Sequence, residues 1–552
     1  MSVLMNAPTR AVDALCVRDC ELVQVSQAAF ARILQRYPTV LKHFTQLLAK
    51  RYQEVTDRVA HTPNMSRPRV KPTYVTIAVV PAGRTAPPLG AFSLKLVQAL
   101  GAVGSVMHIS STKIDDALGA GISDRMHQPF ERARVTQWIS TQEESYRFLV
   151  FESDLGLTPW SRICVEHADC VLLVGLGHTP PELSDIEREY VFHAQGAAVP
   201  LCPETPRTKK RNLRGKLWDL LDGSKSNEPL PPTACKARSF SRKELVLLYP
   251  VPSRRPQGTR RWLRLRRVGW HHHVRTPYFG DFARVARHVS GTARGLVLGG
   301  GGARGLAHIG VLKVMECRGI DVDLIGGTSQ GAYMAAAYAS TMNLEAAEQR
   351  FDILKRIASP LMVLSSLTFP IVSYFEGSTF NELLQDAFGD TQIEDLWIRY
   401  FCVTTNVSKA RQQIHTVGPL WKYARASMTV LGLLPPMYDQ GSLLVDGGYL
   451  NNLPVDVMRK FAPQMSEVVA VDVENKDNSM FENVDDFGNS LSGWWVLMKL
   501  LLSWCRVCKP VALPSMSNVT LSLCYMSHTI NIRHLLRQGR ADDSIVYIQP
   551  DV

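Results

Sequence analysis

The chain has no run of 18 or more uncharged apolar residues anywhere in its 552 positions. Nothing in it therefore reads as a helix able to cross a bilayer, which needs about 20 such residues. Its first residues, MSVLMNAPTRAVDALCVRDC, lack the charged-then-apolar order of a secretory signal. Cysteine lacks a pairing pattern: there are 11, an odd count, with no repeated spacing. That argues against a disulfide scaffold and for free thiols in a reducing compartment. Cys505 and Cys508 form a C-R-V-C pair, yet no second pair or histidine pair completes a zinc site. Nucleotide signatures are missing as well. No glycine loop ends in G-K-S/T, and Gly175-Leu176-Gly177 lacks the third glycine of a dinucleotide fingerprint.

What is present has a globular composition. Hydrophobic residues make up 45% and charged residues 20%, so most of the chain is expected to fold. Its length predicts about three or four domains. The balance is basic, with a formal net charge of +12. Such a balance suits an anionic partner, nucleic acid or acidic lipid, or no partner in particular. Much of the excess lies between Arg207 and Arg275, outside the segments that carry chemistry.

Residues 1–62 open with alternation from Leu15 to Val25 and continue with a helical apolar period from Ala28 to Ala60, interrupted at Pro38. This is too small for a domain and reads as the end of one. Pro63 to Pro72 is a linker. Over 73–200, apolar strands (Tyr74–Val80, Val106–Ile109, Tyr146–Phe151, Ala168–Val174) alternate with helical segments such as Ala91–Leu100. That pattern predicts a parallel α/β unit. Residues 201–280 are rich in Pro, Lys, Arg and Ser, and the expectation is a flexible surface insertion. A second reading is adhesion to an anionic membrane, because Trp262, Leu263 and Leu265 interleave with arginines. His271, His272 and His273 offer metal ligands, but no acidic or thiol partner stands near them in sequence.

The chemistry concentrates in 291–475. Gly295 to Gly305 reads G-L-V-L-G-G-G-G-A-R-G and leads into a helix. Strand, glycine loop and helix N-terminus together hold an anion, either a phosphate or a transient oxyanion. A second strand, Ile320–Ile325, runs into Gly327-Thr328-Ser329-Gln330-Gly331, which fits the G-x-S-x-G nucleophile elbow. Ser329 lies 27 residues after Gly302. A third apolar strand ends in Asp446, followed by Gly447 and Gly448. An aspartate at the carboxyl end of a strand sits where open α/β sheets place their sites. His308 is a competing base for Ser329, against the reading that it simply packs in its helix.

These three motifs, in this order, resemble those of the patatin-like phospholipases. The resemblance implies a three-layer α/β/α hydrolase domain and a Ser329–Asp446 dyad without histidine. It also implies an oxyanion hole at Gly300, Gly301, Gly302 and Arg304, with Gly327, Gly331, Gly447 and Gly448 as motif glycines. Ser373–Leu383, Gln392–Thr405, Trp421–Pro436 and Ser490–Trp495 are similar to the neuropathy target esterase branch of that family. That branch implies hydrolysis of lysophospholipids, and of phosphatidylcholine, at the cytoplasmic face of the endoplasmic reticulum, with this chain peripheral. It further implies that residues 1–62 are the end of a cyclic-nucleotide-binding-like domain. Only its last helices are represented, so nucleotide binding is not expected and the chain reads as partial. No cofactor, metal or nucleic acid is called for. A catalytically silent scaffold is the alternative, against which the intact motifs count. Residues 476–552 read as a helical extension. Within it Ser492–Leu513 suits either an interfacial or a core helix. Pro370, Ile371, Val372 and Leu431–Pro436 suit an acyl pocket or core.

Overall fold

The computed structural model describes residues 75–192, 241–250, 255–357, 364–369, 371–463, 465–474, 492–504 and 544–550, apart from a few isolated positions. The expected remnant at 1–62, the linker, the basic segment 193–240 and Cys505–Cys508 lie outside them. Two compact units are present: residues 1–81, 106–172 and 184–243, and residues 82–105, 173–183 and 244–552.

The first unit is built on parallel strands. β1 (Thr76–Pro81) is buried along its whole length, as expected of a strand covered on both faces. It pairs with β3 (Phe148–Glu152), which pairs in turn with β2 (Val106–Ile109), both in parallel. The intervening helices start at legible signals. α2 (Ser111–Leu118) is capped by Ser110, and α4 (Pro159–His167) by Thr158, with Pro159 in its first turn. α3 (Pro129–Ser145) also begins with proline. Trp160 of α4 packs edge-on against Phe151 at 5.9 Å and donates its indole N–H to the Glu152 carbonyl at 2.8 Å. β4 (Cys170–Leu176) follows α4. The Asp169 N–H leading into β4 bonds to Thr76 O at 2.9 Å.

In the second unit Gly177, just past β4, donates its N–H to Leu248 of β5 (Arg242–Tyr249) at 3.0 Å. β5 runs parallel to β6 (Trp270–Arg275), from Glu244↔Trp270 to Tyr249↔Arg275. Between them lies α5 (Thr259–Leu265) and after them α6 (Phe279–Ser290), closed by Gly291 at φ 72°. α6 packs on α1 (Leu89–Gly101) through Phe92 and Phe282, 5.6 Å apart.

These elements correct the expectation of a flexible insertion for 241–280. Trp262 is 2% exposed, so it is no membrane foot. The Arg266 guanidinium stacks over its ring at 4.4 Å and donates to the carbonyls of Pro181 and Glu182. Composition counted the arginines as solvent-facing. Arg266 is instead buried, because its fork satisfies backbone carbonyls while its planar face covers an indole.

The second unit also holds a sheet in the order β11-β12-β9-β8-β7-β13-β14, with β10 beside β9. β7 (Arg294–Leu298), β8 (Leu324–Thr328), β9 (Arg399–Asn406), β13 (Glu467–Val471) and β14 (Ile545–Ile548) are parallel. β10 (Arg411–His415), β11 (Met437–Asp439) and β12 (Ser442–Asp446) extend it antiparallel. The sheet is covered on both faces, giving three layers. Leu296 and Leu298 of β7 face one core with α8 (Gln330–Thr341) and α10 (Ser378–Phe388). Val297 faces the other with α12 (Val455–Phe461). That is why G-L-V-L reads as an unbroken apolar run. α7 (Ala307–Cys317), α9 (Leu344–Ile357) and α11 (Leu420–Ser427) complete the helical layer around α8.

Candidate active site

Ser329 stands at the turn from β8 into α8 with φ 55° and ψ −126°. A side-chain-bearing residue at positive φ is strained and persists only where its surroundings impose it. Here they do so by crowding. A Cβ on Gly331 would overlap the carbonyls of Leu298 and Gly299, and Gly327 lies against that same Leu298 carbonyl. The turn thus closes only around glycine. Its backbone is pinned from two sides. Ser329 N–H donates to Ser427 Oγ at 2.9 Å, whose own hydroxyl donates to the Val403 carbonyl at 2.6 Å. Thr328 Oγ1 donates to the Asn451 carbonyl at 2.8 Å.

Asp446 ends β12, paired with Thr404 of β9, and its N–H donates to Thr429 O at 2.8 Å. Gly447 follows directly on the Val403 carbonyl, where any side chain would collide. The 117 positions that separate Ser329 from Asp446 are bridged by the fold: Ser329 Oγ donates to Asp446 Oδ2 at 2.6 Å. The other carboxylate oxygen accepts Gly448 N–H at 2.8 Å. Asp446 is 5% exposed. Burial pushes its carboxyl up to about 6, against the opposing pull of the hydrogen bonds from Ser329 and Gly448.

The glycine loop lies alongside. A Cβ on Gly300 would crowd Asn452 Oδ1 and the Ser329 Cβ. Its N–H, expected among the oxyanion donors, is already engaged with the Asn452 carbonyl at 3.2 Å. Asn452 Nδ2 returns a bond to Gly300 O at 3.0 Å. Gly301 and Gly302 come next, Gly302 exposed and at φ 57°. Among the described residues their N–H groups find no protein acceptor. Arg304 is half-buried and its N–H closes a turn onto Gly301 O at 3.2 Å. His308 is fully buried, and its Nε2 sits 2.8 Å from the Gly299 carbonyl. Burial holds its pKa down at about 4, so it is neutral and donates from Nε2. It braces the loop, and among the described residues no histidine bonds to Ser329 or Asp446.

Sequence reasoning did not single out Ser427, Asn451 or Asn452. The asparagines stood in the string after D-G-G, a usable signal. Ser427 had none, because its contact depends on α11 packing against β9. Ile371 and Val372 are not core, being 82% and 64% exposed, and Pro370 lies outside the described residues.

Residues 296–459 match the patatin-like phospholipase family. With the serine elbow, the aspartate and the three-layer sheet in place, the chain belongs to that family. A second match, over residues 73–202, is to the P-loop-like domain of the neuropathy target esterase family. The chain is 35% identical over 530 residues to patatin-like phospholipase domain-containing protein 6 of Pongo abelii, covering 94% of this chain and 37% of that protein. It is 33% identical over 563 residues to neuropathy target esterase sws of Drosophila melanogaster, covering 100% and 37%. Over 575 residues it is 33% identical to patatin-like phospholipase domain-containing protein 7 of Rattus norvegicus, covering 100% and 39%. Within the family the chain belongs to the neuropathy target esterase branch. It spans little more than a third of the length of the curated relatives it matches.

Proposed function

We propose that the chain is a serine esterase that hydrolyses acyl ester bonds of lysophospholipids, lysophosphatidylcholine above all, and of phosphatidylcholine. The observation that carries this is the 2.6 Å hydrogen bond from Ser329 Oγ to a buried, basicity-raised Asp446. Asp446 takes the hydroxyl proton as Ser329 Oγ attacks the acyl carbonyl, giving a tetrahedral oxyanion. The N–H groups of Gly301 and Gly302 hold that oxyanion, and Gly300 and Arg304 shape the loop. The intermediate collapses with cleavage of the C–O bond, and the proton held by Asp446 passes to the departing alcohol. Water, deprotonated by the same carboxylate, then frees the fatty acid and regenerates Ser329.

The surroundings suit a lipid surface. A hairpin is closed by Glu376 N–H to Ser366 O and Thr368 N–H to Tyr374 O, both 2.9 Å. It exposes Phe369, Ile371 and Val372 by 81%, 82% and 64%. Its second arm bonds to 432–433, through Tyr374 N–H to Gly432 O and Phe375 N–H to Leu433 O. The neighbouring Leu431 N–H bonds to Tyr449 Oη, two residues past Gly447. α13 (Gly493–Trp504) exposes Trp494 and Trp504 by 80% and 85%, which favours its interfacial reading over a core helix. The membrane in question is the cytoplasmic face of the endoplasmic reticulum, with this chain peripheral.

The test is fatty-acid release from lysophosphatidylcholine by the purified chain beside Ser329→Ala, Asp446→Asn and His308→Gln. Loss of about 10³-fold or more in the first two, with His308→Gln within about tenfold of the parent, is expected. Retained activity in Ser329→Ala, or an inactive but folded parent chain, overturns the proposal.

A further inference from the structure

Metal binding at His271–His273 lacked an acidic partner in sequence; the fold supplies one. Side chains of a strand alternate between its faces. His271 and His273 turn to one face, where their Nε2 atoms lie 3.1 and 3.0 Å from the Glu394 carbonyl. His272 turns to the other. There β5 runs parallel, with Glu244 level with Trp270, so Glu244 is the diagonal neighbour of His272. α6 brings His288 onto the same spot, its ring stacked on Trp270 at 4.6 Å. His272 Nε2 is 3.0 Å from Glu244 Oε2, and His288 Nε2 is 3.2 Å from Glu244 Oε1. All three side chains are buried, and their ligand atoms lie within 4.8 Å of one another.

We propose that Glu244, His272 and His288 form a site for one divalent transition-metal ion, Zn²⁺ by preference, that ties β5, β6 and α6 together. Two imidazole nitrogens and one carboxylate are a donor set suited to Zn²⁺ and poorly suited to Mg²⁺ or Ca²⁺. Zinc bonds of about 2.0–2.2 Å in a tetrahedron separate neighbouring donors by roughly 3.3–3.5 Å. The two imidazoles stand 3.0 and 3.2 Å from separate oxygens of Glu244, near that range, and all the donor atoms lie within 4.8 Å of one another. The donors stand on two paired strands and a packed helix, which fixes their directions. A cavity of about 10 Å³, lined by Trp270, His272, Arg284 and His288 among others, adjoins them. That is room for about one water as fourth ligand. The nearby Arg284 is engaged with Asp281 at 3.0 Å. The ion is structural, since none of the three ligands touches Ser329 or Asp446, and the inference is independent of the esterase reading. The competing arrangement is a metal-free network in which both imidazoles donate from Nε2 to Glu244.

The full chain, prepared without a histidine tag, stripped with EDTA and re-exposed to Zn²⁺, should retain one zinc per chain by elemental analysis. Its Tm should rise with Zn²⁺ and fall back with EDTA. Co²⁺ should give the intense visible d–d bands of a four-coordinate site. His272→Leu and His288→Val should lose those bands while keeping the far-UV dichroism of the parent. Absence of retained zinc and of Co²⁺ bands in the parent overturns the proposal, whether or not the variants fold. Bands that persist in both folded variants also overturn it, by placing the metal elsewhere.

Discussion

At the scale of single residues, Asp446 is where pH acts on the proposed reaction. The carboxyl must be ionised to accept the serine proton, and burial holds its pKa up at about 6. The acid limb of kcat/KM for lysophosphatidylcholine should therefore have its midpoint near pH 6. A limb near pH 4 would refute the buried-base reading. The same shift acts on stability with the opposite sense to an ordinary paired carboxylate. The folded state binds the extra proton between the usual aspartate range and about 6, so stability falls as pH rises through that window. Asp446→Asn removes the buried charge. It should raise Tm at pH 7 by an amount corresponding to a few kcal/mol at most, about 1.4 per pKa unit, while abolishing activity. Thermal scans at pH 5 and pH 7 check this, and the gain should shrink at the lower pH. Ser329 and Asp446 were legible because each is announced by its own neighbours: small residues at a strand-to-helix turn, and glycines after an apolar strand. The engagement of Gly300 with Asn452 was not, since it joins residues 152 positions apart.

At the scale of elements, the exposed hairpin predicts a separation of surface from chemistry. Phe369→Asp with Ile371→Asp should lower hydrolysis of lipid in vesicles severalfold, yet leave a soluble short-chain ester unaffected. Equal losses on both substrates would tie the hairpin to catalysis. α5 predicts the reverse. Trp262 fills the space beside Gly83 and Gly175, so Trp262→Ala should cost about 3–5 kcal/mol, read as a lowered denaturation midpoint, with kcat unchanged. Here the sequence misled. R-R-W-L-R-L-R-R has the charge density of a solvated segment, and the carbonyls of Pro181 and Glu182, distant in sequence, help make Arg266 a core residue. The alternating strands of 73–200 were readable because their apolar runs are short, buried and separated by capped helices.

At the scale of the whole molecule, one sheet is assembled from segments far apart in the chain. β14 pairs with β13 from Val468↔Ile545 to Val471↔Ile548, and Tyr547 Oη donates to Asp472 at 2.6 Å. Neither periodicity nor motif announced this strand, because four residues carry too little pattern. Truncation before Ile545 would leave the edge of buried β13 unpaired. The soluble fraction of such a chain should drop sharply against the full chain, and an unchanged yield would show β14 to be dispensable.

The backbone angle at Ser329 has a consequence for selection. A residue held at φ 55° and ψ −126° is strained unless it is glycine. The Cβ at that corner and the buried charge at Asp446 both lower the protein's tolerance of heat. A library screened for thermal survival alone would drift toward glycine at 329 and asparagine at 446, discarding the pair by which the proposed chemistry runs. Only a screen that also demands ester cleavage would keep them.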